Sequence, residues 1–565
     1  MIINLISLVV TAGLLGLIAW RLFGGRDIAT MRGHGIRHFF QYGTQYLLLF
    51  LSGVGVTGLI GRLLGRSTEL VGGQSDLALD IAFTAVGVPL LVVVALWTRR
   101  LLIRDESESK SLAWVISSTA STLTALAFTM IAAFNVGLWI AQLKEFDGFD
   151  VAELLVWSVL LVNLWMIDRA NTSRENSRPH LFMGSGVGLI VTGVALANTM
   201  TATAEILLHT SGQTIYSDNL APLWRGLILA AVGIPVWALY WFENAQPTKR
   251  DGLWYGYTLL VGTAGGLITA VTAGSAALFR ALVWFIGDPT TTSAAQHFRD
   301  VPAAASAAVV GAGIWWYHRD QMVTPGPRNE IDRVFDYAMS AIGLIATGVG
   351  IGLAIVAAIE GLTSATVLTG GSVMNALLLA TTLLLVGTPI WGTYWQRIQA
   401  HVAENREEEL TAPTRRGYLF LLFGLGGVAA IVALVTGVYL FADDVLNIGL
   451  TNNTYFRMRY ALGTLVATGG MAGYHWLVYD RERDAMRAIQ TGPRYVLLVG
   501  PKDEALEHAI TRATGGRVHT WPPTNGFTGV WTRSAVLREV ELCEDDTLIL
   551  FAEGSRLLAV PVERD

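Results

Sequence analysis

The 565 residues are 52% hydrophobic and 15% charged, against about 25% charged in a soluble domain, so most of the chain is suited to lipid. A net charge of −5 leaves no electrostatic footprint for nucleic acid, and the single cysteine, Cys543, excludes an intrachain disulfide and a cysteine-ligated metal cluster. Sixty glycines on such a background read as helix–helix packing rather than disorder.

The N-terminus is apolar from Ile2 to Trp20, with no basic leader and no small-residue cleavage site, which predicts a retained first span within residues 1–24. A crossing helix needs about 20 apolar residues, and thirteen stretches qualify, roughly 2–20, 39–61, 81–98, 112–140, 152–167, 181–207, 221–242, 253–277, 302–317, 335–358, 374–395, 417–441 and 460–479. A short apolar stretch at 278–287, carrying Arg280, reads as interfacial. After the first span the others pair as six hairpins, 37–101, 112–170, 180–245, 253–320, 334–399 and 417–483, followed by a tail at 490–565. Their closing tryptophans, Trp97, Trp165, Trp241, Trp316, Trp395 and Trp476, recur every 68–81 residues, the period of an internal repeat.

Each hairpin opens on a glycine-rich helix, and Gly184/Gly188, Gly262/Gly266 and Gly348/Gly352 have the small-xxx-small spacing that lets backbones approach. Gly424-Leu-Gly426-Gly427 opens the last hairpin in the same style. The second helix carries Gly-x-Pro-x-Trp, as Gly233, Pro235, Trp237, Tyr240 and Trp241, and again as Gly387, Pro389, Trp391, Tyr394 and Trp395. Gly87-Val-Pro89 begins a third copy, and Gly311-Ala-Gly313-Ile-Trp315 replaces the proline by glycine. Proline removes a backbone donor, so Pro235 and Pro389 predict kinks at equivalent depths. The closing tryptophans read as an interfacial belt.

Alternate loops hold 20 basic residues against 8 on the other side, which predicts an outer N-terminus, a cytoplasmic C-terminus and six hairpins in parallel orientation. The tail reads as a small α/β domain. Strands are expected at Tyr495–Val499 and Val518–Trp521, helices at Asp503–Thr514 and Ser534–Glu541, and a hairpin of Thr547–Phe551 with Leu557–Val562 around Glu553-Gly554-Ser555.

The closing motif resembles that of bacterial membrane proteins carrying domain of unknown function 5671. Arg37 with Phe40 and Tyr42, Arg333 with Phe335 and Tyr337, and the ending Arg494-Tyr-Val-Leu-Leu-Val-Gly500-Pro501 with Asn525-Gly526-Phe527 are similar to that family too. The resemblance covers most of the chain and implies a multi-pass protein of the bacterial plasma (inner) membrane. It brings no activity and no functional residues.

No Gly-Lys-Ser/Thr phosphate loop and no His-Glu-x-x-His helix occur. Gly500-Pro501-Lys502-Asp503 follows a strand and opens a helix, where an anion could sit, but it reads as a plain turn. The ten histidines fall in loops, at helix ends or in the tail, which speaks against haem between spans. Asp80, Glu205, Arg225, Arg280 and Glu360 are the ionisable residues of the spans, all near outer ends. Asn135, Asn198, Thr199, Thr201 and Thr203 could line a polar path, although bridging between helices is the commoner use. The outer loops carry 14 acids against the 8 bases, read as a solvated face. The sequence thus predicts an all-α polytopic bundle of about 13 spans with a small cytoplasmic α/β domain. No catalytic, cofactor or metal site is expected; partners are the lipid bilayer and a protein at the C-terminal domain, with no nucleic acid. A non-catalytic scaffold or sensor leads, and a transporter or channel for a small solute or cation is the alternative.

Overall fold

A computed structural model describes residues 35–65, 74–105, 108–171, 178–208, 220–322, 328–363, 372–447, 449–489, 493–522, 530–543, 545–553 and 556–562. The span expected within 1–24, the turn residues Gly554 and Ser555, and Asn525-Gly526-Phe527 lie outside them. The helices are α1 (Gly35–Leu64), α2 (Gln74–Arg104), α3 (Leu112–Ile140), α4 (Gly148–Asn171), α5 (Pro179–Leu207) and α6 (Ala221–Trp237). Next come α7 (Gly252–Gly256), α8 (Gly265–Phe285), α9 (Ala294–His297), α10 (Val301–Met322), α11 (Glu330–Thr363), α12 (Val373–Glu404), α13 (Arg406–Thr411), α14 (Pro413–Asn447) and α15 (Asn452–Ile489). π-Helical turns extend α6 over Ala238–Ala245 and join α7 to α8 over Tyr257–Ala264. Local chemistry sets several starts: Ser111 accepts from the Trp114 N–H, Asp251 from Leu253 and Trp254, and Pro179 occupies the first turn of α5.

Ten helices among the described residues are long and apolar enough to cross a membrane: α1 to α6, the α7–α8 rod, α11, α12 and α14. Two expected spans fall short by composition. The α10 helix dilutes its apolar residues with alanine and glycine and ends on His318-Arg319-Asp320-Gln321, and α15 begins with Asn452-Asn453 and Arg457 and closes through Asp480 and Arg481. The stretch 278–287 is not a separate interfacial piece, because α8 runs unbroken through Arg280 to Phe285. The two prolines also differ. A π turn follows Pro235, whereas Pro389 sits within an uninterrupted α-helix.

The described residues form two compact units, one drawn from those up to 350 together with 372–391, the other from 351–363 together with those from 392 on. In the first, α1 lies along α2, α3 and α4, α3 along α4, α5 along α6 and α10, and α8 along α10. In the second, α14 lies along α15. That unit also holds the tail, β1 (Tyr495–Val499), α16 (Glu504–Thr514), β2 (Arg517–Trp521), α17 (Arg533–Leu542), β3 (Thr547–Glu553) and β4 (Arg556–Val562). Its sheet runs β2-β1-β3-β4, parallel except for the β3–β4 pair. Val496, Leu498, Leu548 and Leu550 of the sheet bury against Leu506, Ile510, Val536 and Val540 of the two helices. All six expected elements of the tail are present, within two residues at each end.

Candidate functional site

The Gly-x-Pro-x-Trp motif is a packing device. A Cβ added to Gly233 would lie 2.9 Å from the Thr192 backbone nitrogen, one on Gly387 2.7 Å from that of Thr347, and one on Gly311 2.8 Å from that of Ala270. Gly87 differs: it meets the Ser52 hydroxyl at 2.9 Å, and the Ser52 backbone nitrogen stands off at 3.4 Å. The opening helices answer in kind. Gly188 presses on the Trp237 nitrogen at 2.7 Å, Gly266 on that of Trp315 at 2.6 Å, and Gly343 on that of Trp391. Real Cβ atoms do not come this close to backbone, so each seam admits glycine alone. Three hairpins therefore share one backbone contact, including the pair that lacks proline.

The side chains at the end of the motif correct the belt reading. Trp97, Trp316 and Trp476 are exposed, as an interfacial ring should be, but Trp241 and Trp395 are buried inside protein. Trp241 Nε1 donates to the Tyr317 hydroxyl at 2.8 Å, and Trp395 Nε1 to the Tyr474 hydroxyl at 2.7 Å. Each acceptor belongs to the closing motif of the next hairpin. The following residue, His318 or His475, is fully buried, with Nδ1 on the carbonyl four residues back, at 2.9 and 2.8 Å. His475 lies well inside α15, not at a helix end as expected. The rings repeat as well: Trp241, Tyr257 and His318 in one cluster, Trp395, Tyr418 and His475 in the other.

The family model for Domain of unknown function (DUF5671) matches residues 38–161, 178–316 and 333–470, three times and over most of the chain. The chain belongs to that family. Each DUF5671 match spans two hairpins, and in the second and third the tryptophan–tyrosine bond starts inside the match and ends within a few residues of its boundary. No curated protein and no solved structure matches the chain.

Within the first unit of this DUF5671 protein, α3, α5 and α6 line a partly open cavity of about 570 Å³. Its apolar walls include Met130, Phe134, Val191, Val194, Leu229 and Val232, and its polar residues are Asn135, Asn198, Thr201, Glu205 and Arg225. Those five are candidates already singled out in the sequence, and the fold gathers them at one site. Thr199, Thr201 and Thr203 do not bridge helices through their hydroxyls. Each donates to the carbonyl four residues back on α5, at 2.7–2.8 Å. Asn135 donates to the buried Asp150 at 2.9 Å, and Asp150 also pairs with Lys144.

The remaining ionisable candidates are paired. Asp80 meets Arg62 at 3.0 Å, Glu360 meets Arg459 at 2.8 Å, and Arg280 reaches Asp300 at 3.7 Å. Asp443 and Asp444 both take Arg457. Much of the expected acidity is thus neutralised locally, which fits a structural use. Sequence reasoning missed two buried hubs because their partners are remote. Glu108 takes Arg37 at 2.9 Å and the Tyr42 hydroxyl at 3.0 Å, and Arg415, only 1% exposed, takes Glu482. At Gly500-Pro501-Lys502-Asp503, Asp503 accepts from the Ala505 and Leu506 N–H groups, so the chain's own carboxylate caps the helix. The Glu504 carboxylate beside Lys502 raises that ammonium's pKa.

Proposed function

We propose that the chain is a non-catalytic multi-pass protein of a bacterial plasma membrane, acting as a scaffold or sensor. In this reading α10 and α15 are spans despite their composition, because each packs along an apolar partner as the second arm of a hairpin; with the N-terminal stretch they bring the count to thirteen. The N-terminus is outside, and the α/β domain lies in the cytoplasm, where a protein partner would dock. The observation that carries the proposal is the glycine seam repeated in three hairpins. Seams with backbone in contact with backbone favour a rigid frame over one that rocks between two states. The pairing of Asp80 and Glu360 with arginines supports it, since ion coupling needs groups that change partners.

A test is proton- or sodium-driven uptake in liposomes, together with capture of cytosolic proteins on the full-length chain and on a chain cut after residue 489. Silence in the first and tail-dependent capture in the second are expected. Gradient-driven flux abolished by Glu205→Gln would promote the transporter instead, the reading favoured by one observation, the charged residues lining the cavity.

A further inference from the structure

We infer that the cavity between α3, α5 and α6 binds a single acyl chain that ends in an anionic group, a carboxylate or a phosphate. Its volume, about 570 Å³, is that of a small-molecule site. The lining is graded along α5. Glu205 lies two residues from the end of the helix and Val191 lies 14 residues further in, about 21 Å away at 1.5 Å per residue. On α6, Arg225 stands in the first turns and Val232 two turns deeper. Polar residues therefore gather toward one end, and the deeper walls are Val191, Val194, Leu229 and Val232. A ligand that fills such a slot has a polar head and an apolar tail.

The sign of the head follows from which groups are still uncommitted. Asp150 is held by Lys144 and Asn135, the threonine hydroxyls are spent on their own helix, and Glu205 is engaged in an interaction of its own. Among the described residues, Arg225 makes no ion pair or hydrogen bond, and neither does the Asn198 side chain. What remains is a guanidinium fork and an amide, a donor set that fits a carboxylate or phosphate oxygen. Gly226, beside Arg225, has no room for a side chain: a Cβ there would lie 2.9 Å from the Thr199 nitrogen, which fixes the α5–α6 distance at this end.

The inference rests on the proposed function only in placing the protein in a bilayer. The test uses the full-length protein in zwitterionic lipid nanodiscs, with energy transfer from its tryptophans to cis-parinaric acid. Competitors are palmitate, methyl palmitate and a phosphatidic acid. Arg225→Gln is expected to weaken palmitate and phosphatidic acid about tenfold and to leave methyl palmitate unchanged, as loss of one charge-assisted contact requires. Glu205→Gln is expected to tighten both acids, and Val194→Phe to weaken all three competitors. Stronger displacement by palmitate identifies a free acid as the occupant, and by phosphatidic acid a lipid. Equal signals from loaded and empty discs, or acids indifferent to Arg225→Gln, overturn the inference. So does the reverse sign pattern, with a cationic amphiphile displacing best. If Val194→Phe does not fold, Arg225→Gln at its exposed position still decides. Recovery of the protein from the aqueous fraction without detergent would instead overturn the membrane reading.

Discussion

Two glycine-rich helices that look alike as sequence meet opposite surroundings. In α5, 67% of the most apolar window is buried; in α14 the figure is 11%. Gly184 of α5 lies under the Tyr240 ring and Gly188 against the backbone of Trp237. In α14, Gly417, Gly424 and Gly427 would admit a side chain with nothing within 4 Å, and Gly426 meets Ala472 at 3.3 Å and the Thr468 carbonyl at 3.4 Å, with no contact under 3 Å. Around them Phe420, Leu421, Leu425, Val428, Ile431 and Val435 face outward. Glycine content is therefore not the packing signal. The signal is a glycine on the opening helix matched by a Gly-x-Pro-x-Trp or Gly-x-Gly-x-Trp on its partner, and α15, the partner of α14, has no such motif.

The sharpest way to break this contrast is to fill both kinds of glycine. Gly188→Leu, or Gly262→Leu with Gly266→Leu, is expected to abolish assembly, read as loss of monodisperse protein in detergent, because the obstructing atoms include backbone. Gly424→Leu with Gly427→Leu is expected to fold normally and to gain up to about 1 kcal/mol per site from helix propensity. Collapse of the α14 variant would show that its glycines are used after all.

The next effect concerns a charge buried in the first turn of α14. Glu482→Gln takes a bidentate carboxylate from the buried Arg415 guanidinium and is expected to cost about 1.5–3 kcal/mol in thermal or denaturant unfolding. Arg415→Met with Glu482→Met is expected to recover most of that loss.

A smaller difference separates the two histidine clusters. His318 Nε2 stands 3.3 Å from the Tyr257 hydroxyl, which also accepts from Trp237 Nε1 at 3.0 Å, whereas His475 Nε2 is buried with no partner among the described residues. His318→Phe should cost about 1–3 kcal/mol by leaving buried polar groups unmatched, and His475→Phe should be close to neutral. Equal losses would mean that the two clusters are energetically the same despite their geometry. The smallest effect is expected at a partly buried pair near the end of α11: Glu360→Gln, opposite Arg459, should shift stability by about 1 kcal/mol, and less at high salt.

What could be read from the chain was whatever has a local cause. The tail strands and helices carry their periodicity and turn residues within a few positions, and all of them appear. The long apolar helices were legible for the same reason. Burial of Trp241 and Trp395 was not legible, because an interfacial tryptophan and a buried one differ only in what stands opposite, here Tyr317 and Tyr474 far along the chain. The cavity was half legible. Its polar residues stood out as misfits in apolar helices, but their meeting depends on α3 lying beside α5 and α6, which no spacing encodes. The π turns gave no sign at all: Pro235 and Pro389 occupy the same motif, yet only the first is followed by one.

The tryptophan–tyrosine bonds have a further meaning on a growing chain. Trp241 waits 76 residues for Tyr317, and Trp395 waits 79 for Tyr474. At roughly 5–20 residues per second of synthesis that is about 4–16 s during which a finished hairpin keeps an unpaired indole N–H. The four-helix unit, rather than the hairpin, is thus the smallest length of chain that closes these bonds. A ribosome that pauses between the two partners leaves on display a half-built intermediate that a quality-control protease could recognise.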